Sequence, residues 1–585
     1  MKGRRLLRNI GLILIFVSVV SCTGKKSGTI SIIATTDIHG VILPYDYVEG
    51  RELKGSLAGV STYINELRKE GKEYILLDNG DNIQGQPAVY YYNFIDTASQ
   101  HIMSQAFNYL KYDAGTVGNH DIETGHSVYD RLAKEYNFPL LAANAIRTSD
   151  GKPYFKPYTI IKKGGLKIAV FGLVTPYIPN WLPPQLYSGM EFRDMVQTAK
   201  DWMPEIIAQK PDLVIGLFHS GWDKEWLENK ETRVKDENGS VAVAYEVPGF
   251  DIILNGHDHS LVNDKIVNSA GDTVLILDGG SRSEFMMRAD VNLSGKGKNC
   301  KVSSRGTLVR LADVKGDPDF ISAFSNQDKT IRGYVDKVIG KSSATISSRD
   351  SYFGPSAFTG LIHSLQKEIS GADISFAAPL SFDVSIPEGP ITVGDMFKLY
   401  RFENMLYTIK LSGEEIKKYL EYSYGLWFRT MKSQNDNMML FRSGKDGALL
   451  LTGGKARFEN PSYNFDSASG IEYIVDLSKN EGERITITKG PGGNPFDLAK
   501  IYTVAVNSYR GSGGGGHLTR GVGLNSEEIA RRLVISTDKD LRYYIIKYIE
   551  KNPDLTPIVD MNWSVIPRNW VEKASVRDRS LLFSK

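Results

Sequence analysis

Seven candidate metal ligands fall within five short motifs in the first half of the chain. The motifs are Asp37-Ile38-His39, Gly80-Asp81, Gly118-Asn119-His120-Asp121, His219 and Gly256-His257-Asp258-His259. Asp and His side chains together with an Asn carbonyl suit borderline divalent metals such as Zn, Mn, Co or Fe, and no Cys takes part. The seven candidates are more than one ion needs, whereas two ions about 3.5–4 Å apart with a shared carboxylate would use them all. The motifs therefore predict a site for two divalent metal ions.

A single Asp or His at the end of a strand is more often a cap or a hydrogen-bonded polar residue than a ligand. The prediction rests on the five motifs together, and on histidine usage, because five of the nine histidines lie in them. His101, His126 and His363 are assigned no role.

Apolar strands precede four of these motifs, in the sequences IIATTDIHG, YILLDNGD, DLVIGLFHS and FDIILNGHDH. We predict strands at residues 29–36, 74–77, 167–174, 212–218 and 250–254, and helices at 59–69 and 99–112. This alternation predicts a layered α/β domain over residues 29–312, with helices flanking the sheets. Ligands in open α/β sheets bind beyond the carboxyl ends of the strands, so distant motifs would meet there.

The motifs, in this order, resemble those of the calcineurin-like metallophosphoesterases, and in particular the 5′-nucleotidase type with its second, substrate-binding α/β domain. The resemblance implies that Asp81 bridges the two ions. One ion would be held by Asp37, His39, Asp81 and His259, and the other by Asp81, Asn119, His219 and His257. His120 would be the catalytic histidine, oriented by Glu123, where many members have Asp. Two-metal chemistry would supply a bridging hydroxide that attacks phosphorus at neutral pH.

The glycine-rich segment NSYRGSGGGGH at residues 507–517 is the most informative part of the second half. Glycines allow a backbone to approach a flat ligand, and the neighbouring Tyr509 can stack on a base. The alternative is a flexible glycine linker, which the glycines alone would favour.

The segments AAP at 377–379, GPITV at 389–393, LYRFEN at 399–404 and YNFD at 463–466 precede this loop. The series resembles the bifunctional 2′,3′-cyclic-nucleotide 2′-phosphodiesterase/3′-nucleotidase branch, which implies that Phe402 and Tyr509 sandwich the base. The same resemblance places Asn404, Gly514 and Gly515 at the substrate. A core position is the alternative for Phe402, and it is the favoured one for Tyr463 and Phe465.

We therefore expect a dinuclear-metal hydrolase that cleaves 2′,3′-cyclic nucleotides and 3′-nucleotides to nucleoside and phosphate. A 5′-nucleotidase or nucleotide-sugar hydrolase with the same metals is the alternative, but the phosphate-binding Arg residues of that branch are not evident. A further alternative is a non-catalytic lipoprotein that only captures nucleotides, but such a protein would be expected to lack some of the metal ligands. A net charge of +2 disfavours a nucleic-acid polymer as the substrate.

The N-terminus has the pattern of a lipoprotein signal peptide, assigned to residues 1–22. A basic start is followed by an apolar run at residues 10–20 and by Val19-Val20-Ser21-Cys22. We expect an exported, monomeric protein of the cell envelope that is anchored through lipid on Cys22. It would face the periplasm or the cell surface, and the outer membrane is the favoured location of the anchor. Beyond residue 312 we assign a linker helix to 313–342, a nucleotide-binding domain to 343–552, and no structure to 553–585.

Overall fold

The computed structural model describes residues 25–229, 237–296 and 301–583. The predicted signal peptide with Cys22 lies outside these ranges, as does Cys300. Within them, no helix combines the length and apolar character needed to cross a membrane.

Two six-stranded sheets form the framework of the first half of the described chain. In spatial order, the first contains Lys301–Arg310, Phe285–Lys296, Lys25–Thr35, Tyr74–Asp78, Ala114–Thr116 and Leu140–Leu141. The second contains Leu261–Val267, Thr273–Gly279, Ile252–Asn255, Leu213–His219, Leu166–Val174 and Tyr158–Lys163. The central strands of both sheets pair in parallel, so their carboxyl ends point the same way within each sheet.

The two sheets pack face to face through a buried apolar core. Ile30, Ile32 and Ala34 of the first sheet share this core with Ile215 and Leu217 of the second. Alternate residues of the same strands face outward and are covered by helices, as the period of two in a strand requires. The main covering helices are Leu57–Lys69, Ile102–Leu110, His126–Glu135, Met195–Ala208 and Ser240–Glu246. The predicted layered α/β fold is confirmed.

The second half of the chain is built around a five-stranded sheet. Its order is Ser467–Ser469, Ile374–Ala377, Ile501–Asn507, Met405–Ser412 and Leu533–Asp540. The helices Ala357–Ser370, Val393–Leu399, Gly413–Trp427 and Leu541–Lys551 pack around it. Leu533–Asp540 leads directly into Leu541–Lys551, and Ile501–Asn507 leads into the glycine-rich loop.

Residues 313–342 are divided between two helices, Pro318–Ala323 and Ser325–Val335, and the strand Val338–Ser342. That strand pairs with Gly389–Thr392 and with Asp554–Leu555. The last described residues also pack on the second half: Trp563–Ile566 pairs with Glu472–Asp476, and the helix Arg568–Phe583 buries Ala574 and Leu582 in its core.

Candidate active site

The five predicted motifs meet at one edge of the sandwich, beyond the carboxyl ends of the parallel strands. The strands that deliver them are Lys25–Thr35, Tyr74–Asp78, Ala114–Thr116, Leu213–His219 and Ile252–Asn255. Six of the seven candidate ligands form two groups, Asp37 with His39 and His259, and Asp81 with His219 and His257, and within each group the ligand atoms lie within 4.8 Å of one another.

In the first group, the Nε2 atoms of His39 and His259 lie 3.1 Å apart, and Asp37 Oδ1 lies 3.3 Å from His259 Nε2. His39 Nδ1 lies 3.0 Å from the backbone oxygen of Gln84. A carbonyl acceptor at that distance favours the tautomer with the proton on Nδ1, which leaves the Nε2 lone pair facing the other two side chains.

In the second group, His219 Nε2 lies 3.1 Å from Asp81 Oδ2 and 3.2 Å from Asn119 Oδ1. His257 Nδ1 lies 2.8 Å from the same Asn119 oxygen, so the amide joins this group. His219 Nδ1 lies 2.7 Å from the carbonyl oxygen of Asn79, which orients Nε2 towards Asp81 and Asn119. The group offers oxygen and nitrogen ligand atoms, and a backbone carbonyl orients the His219 ring. This combination fits a borderline divalent cation.

The charge state of the first group also suits a cation. Burial lowers the pKa of His39 to about 4, so its ring is neutral at physiological pH. Burial raises the pKa of Asp37, but the hydrogen bond with His259 and the charge of His219 outweigh it and hold that pKa below its ordinary value. Neutral imidazole and ionised carboxylate are the forms that bind metals.

Five of these candidate ligands have left-handed backbone conformations, with φ of 47° to 83°: Asp37, His39, Asp81, His257 and His259. Non-glycine residues in this region cost about 1–3 kcal/mol each, and they concentrate at functional sites. The turns after the strands direct Asp37 and His39 into the first group and divide His257 and His259 between the two groups.

Close backbone packing holds the loops together. A Cβ on Gly118 would lie 2.0 Å from Asp81 Oδ1, and one on Gly256 would lie 2.6 Å from Asp37 Oδ2. Asp121 adds a second link, because its carboxylate accepts hydrogen bonds from the backbone N–H groups of Asp81, Asn82 and Gly118 at 2.8 to 2.9 Å. The glycines and Asp121 therefore fix the distance between two ligand loops.

His120 lies beside the two groups, with its backbone N–H donating to Asp81 Oδ1 at 2.8 Å. Its Nδ1 lies 2.5 Å from Glu123 Oε2, so the longer Glu side chain still reaches the imidazole. Burial lowers the pKa of His120, but the carboxylates of Asp81 and Glu123 outweigh it and raise that pKa to about 9. The ring can therefore present a proton on Nε2 at neutral pH.

Three aromatic rings of the second half form a separate cluster. Tyr463 lies between the other two, with its ring centre 5.9 Å from that of Phe402 and 6.4 Å from that of Tyr509. Tyr463 is 37% exposed, so the favoured core position is wrong for it, whereas Phe465 is fully buried. Phe402 and Tyr509 are each half-buried.

The glycine-rich loop packs against this cluster. A Cβ on Gly514 would lie 2.4 Å from the Tyr509 ring, and one on Gly515 would lie 2.3 Å from Arg510 Nη1. Arg510 is buried, pairs with Asp466 at 2.8 Å and donates to the carbonyls of Gly514 and Tyr463. Asn404 is also buried, and its backbone oxygen accepts from Leu541 N–H at 2.8 Å.

Comparison with known families accounts for both halves of the chain. Residues 30–261 match the calcineurin-like phosphoesterases, and residues 338–520 match the 5′-nucleotidase C-terminal domain. The two matches together span more than half of the chain. The chain is a calcineurin-like metallophosphoesterase with a 5′-nucleotidase C-terminal domain. Such phosphoesterases use divalent metals, and the two groups of candidate ligands lie in the metallophosphoesterase part.

Several known proteins resemble this metallophosphoesterase over most of its length. It is 27% identical, over 92% of the chain, to the trifunctional nucleotide phosphoesterase protein YfkN of Bacillus subtilis, but spans only 39% of that protein. It is 26% identical to the 2′,3′-cyclic-nucleotide 2′-phosphodiesterase/3′-nucleotidase of Haemophilus influenzae, covering 95% of this chain and 90% of that protein. A solved Staphylococcus aureus protein in complex with α-ketoglutarate has the same fold, with a TM-score of 0.74 at 21% identity over 92% of this chain and 99% of that one.

Two further side chains of the metallophosphoesterase domain contact the ligand groups, and the sequence motifs did not identify them. Glu237 Oε1 lies 3.2 Å from His257 Nε2, and the ring of Trp181 lies 5.3 Å from that of His257 at an angle of 32°. Neither residue follows a strand in a recognisable motif. Their positions depend on how loops fold over the strand ends, which has no local signal.

Proposed function

We propose that this metallophosphoesterase hydrolyses 2′,3′-cyclic nucleotides and 3′-nucleotides, releasing nucleoside and phosphate. The observation that carries the proposal is that the chain combines two groups of metal-type ligands with a cluster of partly exposed rings, Phe402, Tyr463 and Tyr509, beside a glycine-rich loop. Glu237 contacts His257, and its charge contributes, after burial, to raising the pKa of Tyr509. A phosphate at the ligands and a base at the rings are the two ends of one nucleotide.

The choice of substrate branch rests on the second domain and on the relatives. Residues 377–382 read AAPLSF and contain no Arg, unlike the segment with which the plain 5′-nucleotidase branch holds phosphate. The Haemophilus influenzae relative, whose name gives the cyclic phosphodiesterase and 3′-nucleotidase activities, covers 95% of the chain.

Two divalent ions are part of the proposal, one held by Asp37, His39 and His259 and the other by Asn119, His219 and His257, with Asp81 between them. When bound, such ions polarise the phosphoryl group and lower the pKa of water. His120 would donate a proton or hydrogen bond to the phosphoryl or leaving oxygen, and Glu123 would hold its Nδ1. Metal analysis of the purified protein should give about two ions per chain, and about one or none would contradict this assignment.

Phosphate release from purified protein lacking residues 1–22 tests the proposed substrates, with Mn, Co or Zn added. We expect faster turnover of 2′,3′-cyclic AMP and 3′-AMP than of 5′-AMP at equal concentration, with the cyclic substrate followed by chromatography. A preference for 5′-AMP would replace this assignment with a 5′-nucleotidase and leave the metal ligands unchanged.

The proposal includes an exported, monomeric protein that is attached to the cell envelope through lipid on Cys22. The signal-like residues 1–22 support export and the anchor, and a lipid-anchored phosphoesterase would release nucleosides outside the cytoplasmic membrane. Labelled fatty acid should enter the wild-type protein and not the Cys22→Ser variant. Equal labelling of both would contradict the anchor.

A further inference from the structure

Glu237 places a carboxylate beside the second ligand group. Its Oε1 lies 3.2 Å from His257 Nε2. On the other side, burial is the largest cause that raises the pKa of Tyr463, and the charge of Glu237 adds to it. Tyr509 is affected in the same way.

The backbone of Glu237 is fixed although its side chain is accessible. Its carbonyl accepts hydrogen bonds from Thr175 Oγ1 and Ser220 Oγ, each at 2.9 Å. Ser220 directly follows the candidate ligand His219, so this contact ties Glu237 to the metal-binding edge. The side chain is 43% exposed, which leaves it open to a molecule in the cleft.

One of the two carboxylate oxygens is available for a ligand. Oε1 is occupied by His257, and Oε2 is the second acceptor atom of this exposed side chain. An ionised carboxylate only accepts hydrogen bonds, so its partner must be a donor such as a hydroxyl group. In a nucleotide, the group between phosphate and base is the sugar, and its hydroxyls are such donors. Carboxylates bind ribose hydroxyls in the same way in dinucleotide-binding folds.

We propose that Glu237 binds the ribose hydroxyl next to the scissile phosphate while it holds the His257 ring. The inference rests on the proposed function and adds to it a selectivity for ribonucleotides over 2′-deoxyribonucleotides. For a 3′-nucleotide this donor is the 2′-hydroxyl. p-Nitrophenyl phosphate has no sugar and reports only on the ligand groups and His120.

The experiment compares wild type with Glu237→Ala on 3′-AMP, 2′-deoxy-3′-AMP and p-nitrophenyl phosphate. A hydrogen bond to a charged group contributes about 1.5–3 kcal/mol. Any loss that comes from releasing the His257 ring is common to all three substrates. We therefore expect Glu237→Ala to lower kcat/KM for 3′-AMP by about 10- to 150-fold more than for the deoxynucleotide or the aryl phosphate. Glu246→Ala is a matched control, because Glu246 pairs with Lys200 at the surface, away from the cleft.

The outcomes separate the inference from the proposed function. If wild type cleaves 3′-AMP and Glu237→Ala lowers all three activities equally, Glu237 only orients His257, and the inference is overturned while the function stands. The same holds if the ratio of ribonucleotide to deoxyribonucleotide activity does not change. If wild type cleaves the aryl phosphate but not 3′-AMP, the proposed function fails and the inference fails with it. Metal content and Tm of each variant show whether the site and fold persist.

Discussion

His120 and Glu123 form the pair most directly suited to proton transfer beside the candidate metal ligands. The Nδ1–Oε2 distance of 2.5 Å fixes the ring, and the remaining nitrogen can face a phosphoryl oxygen. General acid–base groups contribute about 10²–10⁴-fold to rate. We expect His120→Ala to lower kcat by a factor in that range, with metal content unchanged, since His120 belongs to neither ligand group.

The measurement for His120 is steady-state kinetics combined with metal analysis. His126→Ala is the control, because His126 lies on the next helix and contacts Asp130 and the Ser188 carbonyl. Wild-type kcat in His120→Ala would remove this residue from the mechanism. Loss of metal together with activity would instead make it a structural support of the ligand loops.

Tyr509 offers a half-buried ring for stacking on a base. Stacking contributes about 1–3 kcal/mol per base and differs little between bases. We expect Tyr509→Ala to raise KM for nucleotides by about 5- to 150-fold and to change KM for p-nitrophenyl phosphate little. Tyr509→Phe keeps the ring and should remain close to wild type. Equal changes for nucleotide and aryl phosphate would argue against stacking.

The glycine-rich loop is the element that sets the position of the Tyr509 ring. Gly514 does not have a positive φ, so its requirement for glycine is steric: the added Cβ would lie 2.4 Å from that ring. We expect Gly514→Ala to displace Tyr509 and to raise KM for nucleotides about as much as Tyr509→Ala does. Gly354→Ala is the control, because nothing lies within 4 Å of its Cβ position. A normal nucleotide KM in Gly514→Ala would show that the ring position does not matter.

Elements whose signal is local were predictable from the sequence. The apolar runs that end in Asp, His or Gly-Asn-His predicted the strands. They also predicted the edge at which the motif side chains meet, because the carboxyl ends of parallel strands share that edge. The left-handed turns and the close glycine contacts that complete the ligand groups depend on packing between loops and could not be read from one segment. Tyr463 illustrates the difference: a core position was the favoured one for it, but the turn Ser462–Asn464 leaves its ring exposed beside Phe402.

At the scale of the whole molecule, the two halves meet in an interface that contains charged groups. Tyr90, from the helix that follows the Asp81 loop, donates a hydrogen bond to Asp540 of the second half at 2.9 Å. Arg542 lies over the rings of Tyr90 and Phe397 and binds the carbonyls of Tyr400 and Arg401. It thereby fixes the backbone just before Phe402 and connects the interface to the aromatic cluster.

Glu403 is a poorly paired carboxyl group in this interface. It is buried, its nearest cation is Arg542 Nη1 at 3.7 Å, and neither carboxylate oxygen has a hydrogen bond within the described ranges. Burial raises the pKa of Glu403 to about 8; Arg542 opposes this shift, whereas the charges of Glu123 and Asp540 add to it. The folded protein therefore favours the protonated carboxyl, whereas the unfolded chain ionises near its ordinary pKa of 4.5.

It follows that the stability associated with the protonated Glu403 is fully present below about pH 4.5 and is lost as the pH rises through about 8. Glu403→Gln keeps an uncharged side chain of the same shape at every pH, so it should gain stability over wild type across this window. At 1.36 kcal/mol per pKa unit the difference in the free energy of unfolding is at most roughly 3–5 kcal/mol.

Thermal unfolding from pH 5 to pH 9 measures this difference, with the exposed Glu414→Gln as the control. We expect the Tm of Glu403→Gln to exceed that of wild type increasingly up to about pH 8 and to level off above it. A Tm difference that stays constant or grows towards acid would mean that Glu403 is ionised in the folded protein and paired with Arg542.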